Sequence, residues 1–125
     1  MATTYRIDKA RRIVFAKASG RVTDDEAFAE QRRLEADPDF EPDMGQLFDG
    51  REVSEFRVTS PGIRRLARRS PFGRGSRRAL VAARDDTYGM ARMYEMLRLG
   101  QGDEVTVVRS LSEALAWLGL AEEPE

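Results

Sequence analysis

The run Ala79-Leu80-Val81-Ala82-Ala83 is apolar without alternation, and Asp85, Asp86 and Thr87 follow it at once. A strand with apolar side chains on both faces has to be covered on both faces, the habit of a central strand in a parallel sheet. Two acids and a threonine directly after it suit the first turn of a helix, where the dipole favours negative charge. A strand that feeds straight into a helix is the unit from which parallel α/β sheets are built.

The rest of the chain fits that unit. Thr3–Asp8 reads as a short strand, Lys9-Ala10-Arg11 as a turn and Arg12–Ser19 as a second strand ended by Gly20, so the first pair is an antiparallel hairpin. Thr23 with Glu26 three residues on makes a capping box for a helix that carries Phe28 and Leu34 inward and stops near Asp37-Pro38. Gly45–Asp49 is a third short strand, followed by a loop from Gly50 to Thr59. Ser60 and Pro61 read as N-cap and first residue of a second helix with the stripe Ile63, Leu66 and Ala67. Met90, Met93, Tyr94 and Leu97 give the third helix its apolar face, and Gly100 its stop. Glu104–Arg109 is the last strand; Ser110 and Glu113 cap a final helix bearing Leu111, Ala114, Leu115 and Leu118. The order β-β-α-β-α-β-α-β-α predicts one α/β domain over residues 1–125, with a mixed, mostly parallel five-stranded sheet, an antiparallel first strand and a frayed acidic tail at 121–125.

Two absences narrow the chemistry. The chain has no cysteine, which removes disulfides and thiolates, and no histidine, which removes the side chain that titrates nearest neutrality. Ser-His-Asp and Cys-His nucleophilic sites and His- or Cys-ligated zinc are thereby excluded. Carboxylate, Lys, Tyr or Arg chemistry survives, as does Mg²⁺ held by oxygens. A non-catalytic role without a cofactor is the expectation. No run of 12 apolar residues exists, so no membrane span is expected, and the N-terminal Met-Ala-Thr-Thr-Tyr-Arg lacks the apolar core of a secretory signal. The cytoplasm is the expected compartment.

Four segments carry a family resemblance: Leu47-Phe48-Asp49-Gly50-Arg51; Arg78-Ala79-Leu80-Val81-Ala82; Thr87-Tyr88-Gly89-Met90-Ala91-Arg92-Met93-Tyr94-Glu95; and Glu113-Ala114-Leu115-Ala116-Trp117-Leu118-Gly119. In this order and spacing they resemble the SpoIIAA-like proteins of the STAS/SEC14 group, small bacterial domains related to anti-sigma factor antagonists. The resemblance spans roughly residues 3–120 and implies a mixed sheet with helices largely on one side, in a regulatory or binding module. In the antagonists an Asp-Ser-Ser-Gly-like motif after the third strand carries a phosphorylated hydroxyl. Here that place reads Asp49-Gly50-Arg51-Glu52-Val53-Ser54, without the Ser/Thr-Gly piece, so the phosphoswitch is not carried over whole.

Charge is segregated along the chain. Phe56 to Arg84 holds nine arginines and no acid, whereas residues 1–55 carry 9 basic against 13 acidic side chains and residues 85–125 carry 3 against 9. A net charge of −1 therefore conceals a positive block, which speaks for anionic partners. Arg64, Arg65, Arg68 and Arg69 fall at i and i+4 on the second helix, away from its apolar stripe, and Arg74, Arg77 and Arg78 follow. The plain alternative is a solvated face paired with acids from elsewhere. Arginine's planar fork suits phosphate or carboxylate. Nucleic acid is disfavoured, because only Phe56 and Phe72 interleave aromatics with the block.

Asp49 closes the third strand, and Asp85 and Asp86 follow the fourth, so all three reach one edge of a parallel sheet, where open α/β proteins build ligand crevices. They could hold Mg²⁺, with Arg51 or Arg84 steering a phosphate; equally, Asp86 caps the third helix, Asp85 favours its dipole and Asp49 starts a turn. Tyr88 stands in the first turn beside that crevice. Met96 lies off the apolar stripe of the third helix and offers a second apolar edge to a partner or dimer, and Trp117 sits at the margin of the final helix. A phosphate on Ser60 would meet free amides, the helix dipole and Arg64, though Ser60 also serves as an ordinary cap.

The combined expectation is a non-catalytic STAS-like module that binds a protein partner or small anionic ligand through Asp49, Arg51, Arg64, Arg65, Arg68, Arg69, Arg84 and Tyr88. The first alternative is an Mg²⁺-dependent phosphoacceptor or hydrolase-like site on Asp49, Asp85 and Asp86. The second is lipid or apolar small-molecule binding, which needs an internal cavity. A homodimer is the favoured assembly.

Overall fold

The computed structural model describes residues 3–121, so the tail expected to fray lies outside the described residues except for Ala121. Nine elements follow in the expected order: β1 (Thr3–Asp8), β2 (Ile13–Thr23), α1 (Asp24–Glu35), β3 (Gly45–Arg57), α2 (Ser60–Arg68), β4 (Arg77–Val81), α3 (Asp85–Leu97), β5 (Glu104–Val108) and α4 (Leu111–Leu118). The sheet runs β1-β2-β3-β4-β5, with β1 antiparallel to β2 and every other pair parallel.

Strand order equal to chain order fixes where the helices lie. Each crossover from β2 to β5 steps the same way across the sheet, so right-handed connections put α1, α2 and α3 on one face. Beyond the edge strand β5, α4 turns back onto β3, β4 and β5 from the other side. Alternation then sorts the core. Ala79 and Val81 of β4 and Leu47 of β3 pack with Ala114 under α4, while Ala18, Val22, Val53, Val58 and Ile63 pack beneath the three helices with Phe48, Leu66, Met90 and Met93 against them. The uninterrupted apolar run is thus explained by a helix on each side.

Four boundaries differ from the sequence reading. Gly20 does not end β2. With φ of 68° it takes a bend that only glycine adopts freely, and the strand continues to Thr23 through register shifts at Lys17/Ser19 and Gly20/Arg21. The expected loop after Asp49 is strand as well, because the prolonged β2 gives it a partner: Ser19 pairs with Glu52, Gly20 with Val53 and Val22 with Phe56. The N-cap of α2 is Thr59, not Ser60. Its hydroxyl accepts from Gly62 N at 3.1 Å and donates to Asp24 Oδ2 at 2.7 Å, a bond across to α1 that leaves Ser60 exposed at the first helical position. Likewise α3 is capped by Arg84 without a side-chain bond, and Asp86 accepts from Thr87 N at 2.7 Å inside the first turn.

The other caps stand as read. Thr23 and Glu26 form the capping box of α1, and Ser110 Oγ accepts from Glu113 N at 3.3 Å at the start of α4. Phe28 departs from the core reading: it is half-buried between α1 and α2, with the Arg65 guanidinium 4.1 Å above its ring.

Candidate functional site

The arginine block divides by partner. Arg77 meets Glu104 at 2.8 Å and lies 4.0 Å over Trp117, Arg84 meets Asp86 at 3.2 Å, and Arg57 pairs with Glu55. Arg64, Arg68 and Arg69 are exposed and, among the described residues, make no ion pair. Arg69 also lines a groove of about 360 Å³ between α1 and α2, together with Phe28, Gln31, Arg32, Glu35 and Arg65. Gln31 donates to the Arg69 carbonyl at 2.7 Å and fixes the two helices across it. Three guanidiniums against one carboxylate make this groove electropositive.

The strand-end residues do not converge. Asp49 is buried at 3% exposure, and Arg51 takes both its oxygens, Nε to Oδ1 at 2.9 Å and Nη2 to Oδ2 at 2.8 Å. Burial pushes the Asp49 carboxyl up, but the hydrogen bonds and charge of Arg51, with Lys17 nearby, outweigh it and hold the group below its ordinary value. Asp86 is lowered by its hydrogen bonds from Arg84. Asp85 reaches instead to Arg109 at 2.8 Å, and the same guanidinium covers the Tyr88 ring at 4.0 Å. Each aspartate therefore has its own arginine, and among the described residues no three acidic side chains stand close enough to hold a metal ion.

Beneath the helices lies a cavity of about 180 Å³, running along the strands from Gln46, Phe72 and Arg78 to Gly50, Ala82 and Thr87. Its walls are apolar apart from a few groups, foremost Arg78. That guanidinium is 3% exposed; Nη1 donates to the Tyr94 hydroxyl and Nη2 to Asp103 Oδ2, both at 2.8 Å, and its carbon stacks 4.4 Å from the Phe72 ring. Arg98, the C-cap of α3, reaches the same carboxylate at 2.7 Å and also donates to the Ala67 carbonyl at 2.9 Å. Burial raises the Asp103 carboxyl, and the bonds and charge of the two arginines more than reverse this, leaving it ionised and below its ordinary value.

No protein-family model matches the sequence, and no curated protein matches it. Among solved structures the chain is similar to an uncharacterised DUF3478-family protein of Shewanella loihica PV-4 with a SpoIIAA-like fold, at 17% identity, a TM-score of 0.62 and 94% coverage of both chains. The fold is SpoIIAA-like. The resemblance read from the four sequence segments holds at the level of fold, as does the mixed sheet with most helices on one side.

In this SpoIIAA-like domain the expected site residues fall into separate places. Arg64, Arg65, Arg68 and Arg69 share the α2 surface; Asp49 with Arg51, Arg84 with Asp86, and Tyr88 under Arg109 belong to the strand-end edge. Met96, at 63% exposure, joins Leu99, at 70%, as exposed apolar side chains where α3 ends, and no helix among the described residues is long and apolar enough to cross a membrane. The sequence reading placed Arg78 with the surface arginines and passed over Arg98 and Asp103. One signal was available. Arg78 directly precedes an apolar run in a central strand, a place where a charged side chain must be buried with a partner.

Proposed function

We propose that this SpoIIAA-like domain is a non-catalytic binding module that docks an acidic protein segment on the arginine face of α2 and the adjoining groove of α1. The observation that carries the reading is that, among the described residues, Arg64, Arg68 and Arg69 remain exposed without an acidic partner, while Arg57, Arg77, Arg78 and Arg84 of the block each pair with an acid of the fold. Unpaired guanidiniums keep their full field, which steers and orients an acidic partner at a modest desolvation cost. An extended acidic chain fits better than a compact anion, since the charges spread along two turns of one helix and no closed pocket gathers them. A long polyanion fits less well, because acidic flanks surround the block.

The test is fluorescence anisotropy of a labelled glutamate-rich peptide at low and at physiological salt. Binding should weaken as salt rises. The R64E/R68E variant should weaken it by about tenfold or more, as expected for loss of two charge-assisted contacts. Unchanged peptide binding by that variant overturns the reading. Saturable binding of inorganic phosphate with no preference for the peptide would assign the face to small anions instead.

A further inference from the structure

Arg78, Asp103 and Arg98 place two buried guanidiniums on one buried carboxylate, with side-chain exposures of 3%, 0% and 10%. Their charges do not balance. The remaining partners of the cluster, the Tyr94 hydroxyl and the carbonyls of Ala67 and Phe72, are neutral. Asp49, the other buried carboxylate among the described residues, is engaged by Arg51 and aligns with Val81, on the α4 face of the sheet. Glu30, on the cavity's α1 wall, is engaged by Arg33 at 2.6 Å. The cluster thus holds one positive charge in excess in a water-poor place, an arrangement that is costly unless something anionic completes it.

A second observation points the same way. The Arg78 Nε proton is buried and, among the described residues, has no hydrogen-bond acceptor. Native structures rarely leave a buried charged donor unmet, and such a group calls for a missing partner. Arg78 lines the 180 Å³ cavity, whose other walls include Phe48, Val53, Phe56, Leu66 and Leu80. Gln46, 7% exposed, pairs in register with Arg78 and brings a polar amide to the same end.

We infer that this cavity binds a small apolar monocarboxylate, with its carboxylate on Arg78 Nε and its hydrocarbon body along the sheet beneath the helices. One negative charge cancels the excess, and a carboxylate is an acceptor-only group matched to a guanidinium N–H. The apolar walls oppose phosphate esters and nucleotides, whose other charges would be buried without partners. Size narrows the class further. An apolar cavity near 150 Å³ accepts benzene, so this one suits about six to nine non-hydrogen atoms, the scale of hexanoate or benzoate rather than a membrane lipid.

The experiment titrates the folded protein with hexanoate, with hexan-1-ol as the uncharged chain of equal length and with inorganic phosphate, following methyl chemical shifts and heat. Hexanoate should bind saturably, shift methyl signals of Val53 and Leu66, and bind about tenfold or more tightly than hexan-1-ol, the value of one charge-assisted hydrogen bond. Ala91→Leu, on the α3 wall of the cavity, adds apolar volume at a helical position and should weaken hexanoate by a similar factor while the fold persists. Arg78→Met, where it folds, should bind the acid no better than the alcohol. R64E/R68E should leave hexanoate binding unchanged, which separates this site from the proposed docking face. Absence of saturable binding, equal affinity for acid and alcohol, or binding indifferent to Ala91→Leu overturns the inference. So does loss of hexanoate binding in R64E/R68E, because the anion would then sit on the surface.

Discussion

Asp103 Oδ2 accepts from Arg78 Nη2 at 2.8 Å with neither side chain more than 3% exposed. The bond joins the first half of β4 to the residue just before β5, and Arg98 brings the end of α3 to the same point. One carboxylate therefore ties two strands and a helix at the edge of the sheet.

Removing that charge strands two guanidiniums in the interior. Asp103→Asn should destabilise the fold by about 3–5 kcal/mol, the usual cost of breaking a buried pair from one side. A urea titration measures it directly, and a loss under about 1 kcal/mol would mean that solvent reaches the cluster.

The same carboxyl sets an acid limb. Its folded pKa lies below the ordinary 3.8, so its contribution is complete above that value and is lost as pH falls through the lower folded pKa. Stability followed from pH 6 downward should thus fall more steeply below about pH 4 in the wild-type protein than in Asp103→Asn. Parallel slopes would place the acid sensitivity elsewhere, with Asp49 as the next group to replace.

Tyr5 provides the alkaline counterpart. Burial first, then its 2.8 Å hydrogen bond to Asp37, pushes the phenol up to about 12 from 10.0. A raised pKa stabilises below the unfolded value and the benefit is lost as pH climbs from 10.0 towards about 12. Absorbance titration should find a late-ionising phase, and Tyr5→Phe should remove it. The same variant should cost about 1 kcal/mol at neutral pH, for one partly exposed hydrogen bond.

How much of this was legible in the sequence depended on the range of the interaction. Capping boxes at Thr23 and Ser110, the apolar run of β4 and the Met90/Met93/Tyr94 stripe are local patterns, and they gave element order and sheet class. The second half of β3 was not legible, because Glu52, Ser54 and Glu55 read as loop until the prolonged β2 lies beside them. Thr59 displaced Ser60 as the cap of α2 because Asp24, 35 residues away, holds its hydroxyl and amide. The arginine face of α2 could be read from i, i+4 spacing. The Arg78–Asp103–Arg98 cluster could not, since its members meet only once α3 and β5 have packed.

Gly50 offers a test of the extended β3. A Cβ built there would meet the Val81 carbonyl oxygen at 2.7 Å, a backbone atom that cannot step aside without moving β4. Gly50→Ala should therefore destabilise by about 1–3 kcal/mol, as for overpacking, despite alanine's smaller backbone entropy loss. Gly89→Ala is the control: among the described residues nothing beyond its chain neighbours and its own helix backbone lies within 4 Å of its Cβ, and within α3 alanine should be neutral or stabilising by up to about 1 kcal/mol. Equal effects at the two positions would contradict the close approach of β3 and β4.

The strand-end aspartates yield the last expectation, that millimolar Mg²⁺ changes the melting temperature no more than NaCl of equal ionic strength. Both oxygens of Asp49 are already hydrogen-bonded to Arg51, and Oδ1 accepts the Arg51 backbone N–H as well, at 3.0 Å. A cation there would have to displace a guanidinium that holds the carboxyl ionised, and Asp85 and Asp86, turned to Arg109 and Arg84, add no second ligand beside it. Mg²⁺ also gives up its water reluctantly and binds where several oxygens converge. A saturable Mg²⁺-dependent rise in melting temperature, abolished by Asp49→Asn, would show that these arginines yield to the metal and would revive the phosphoacceptor reading.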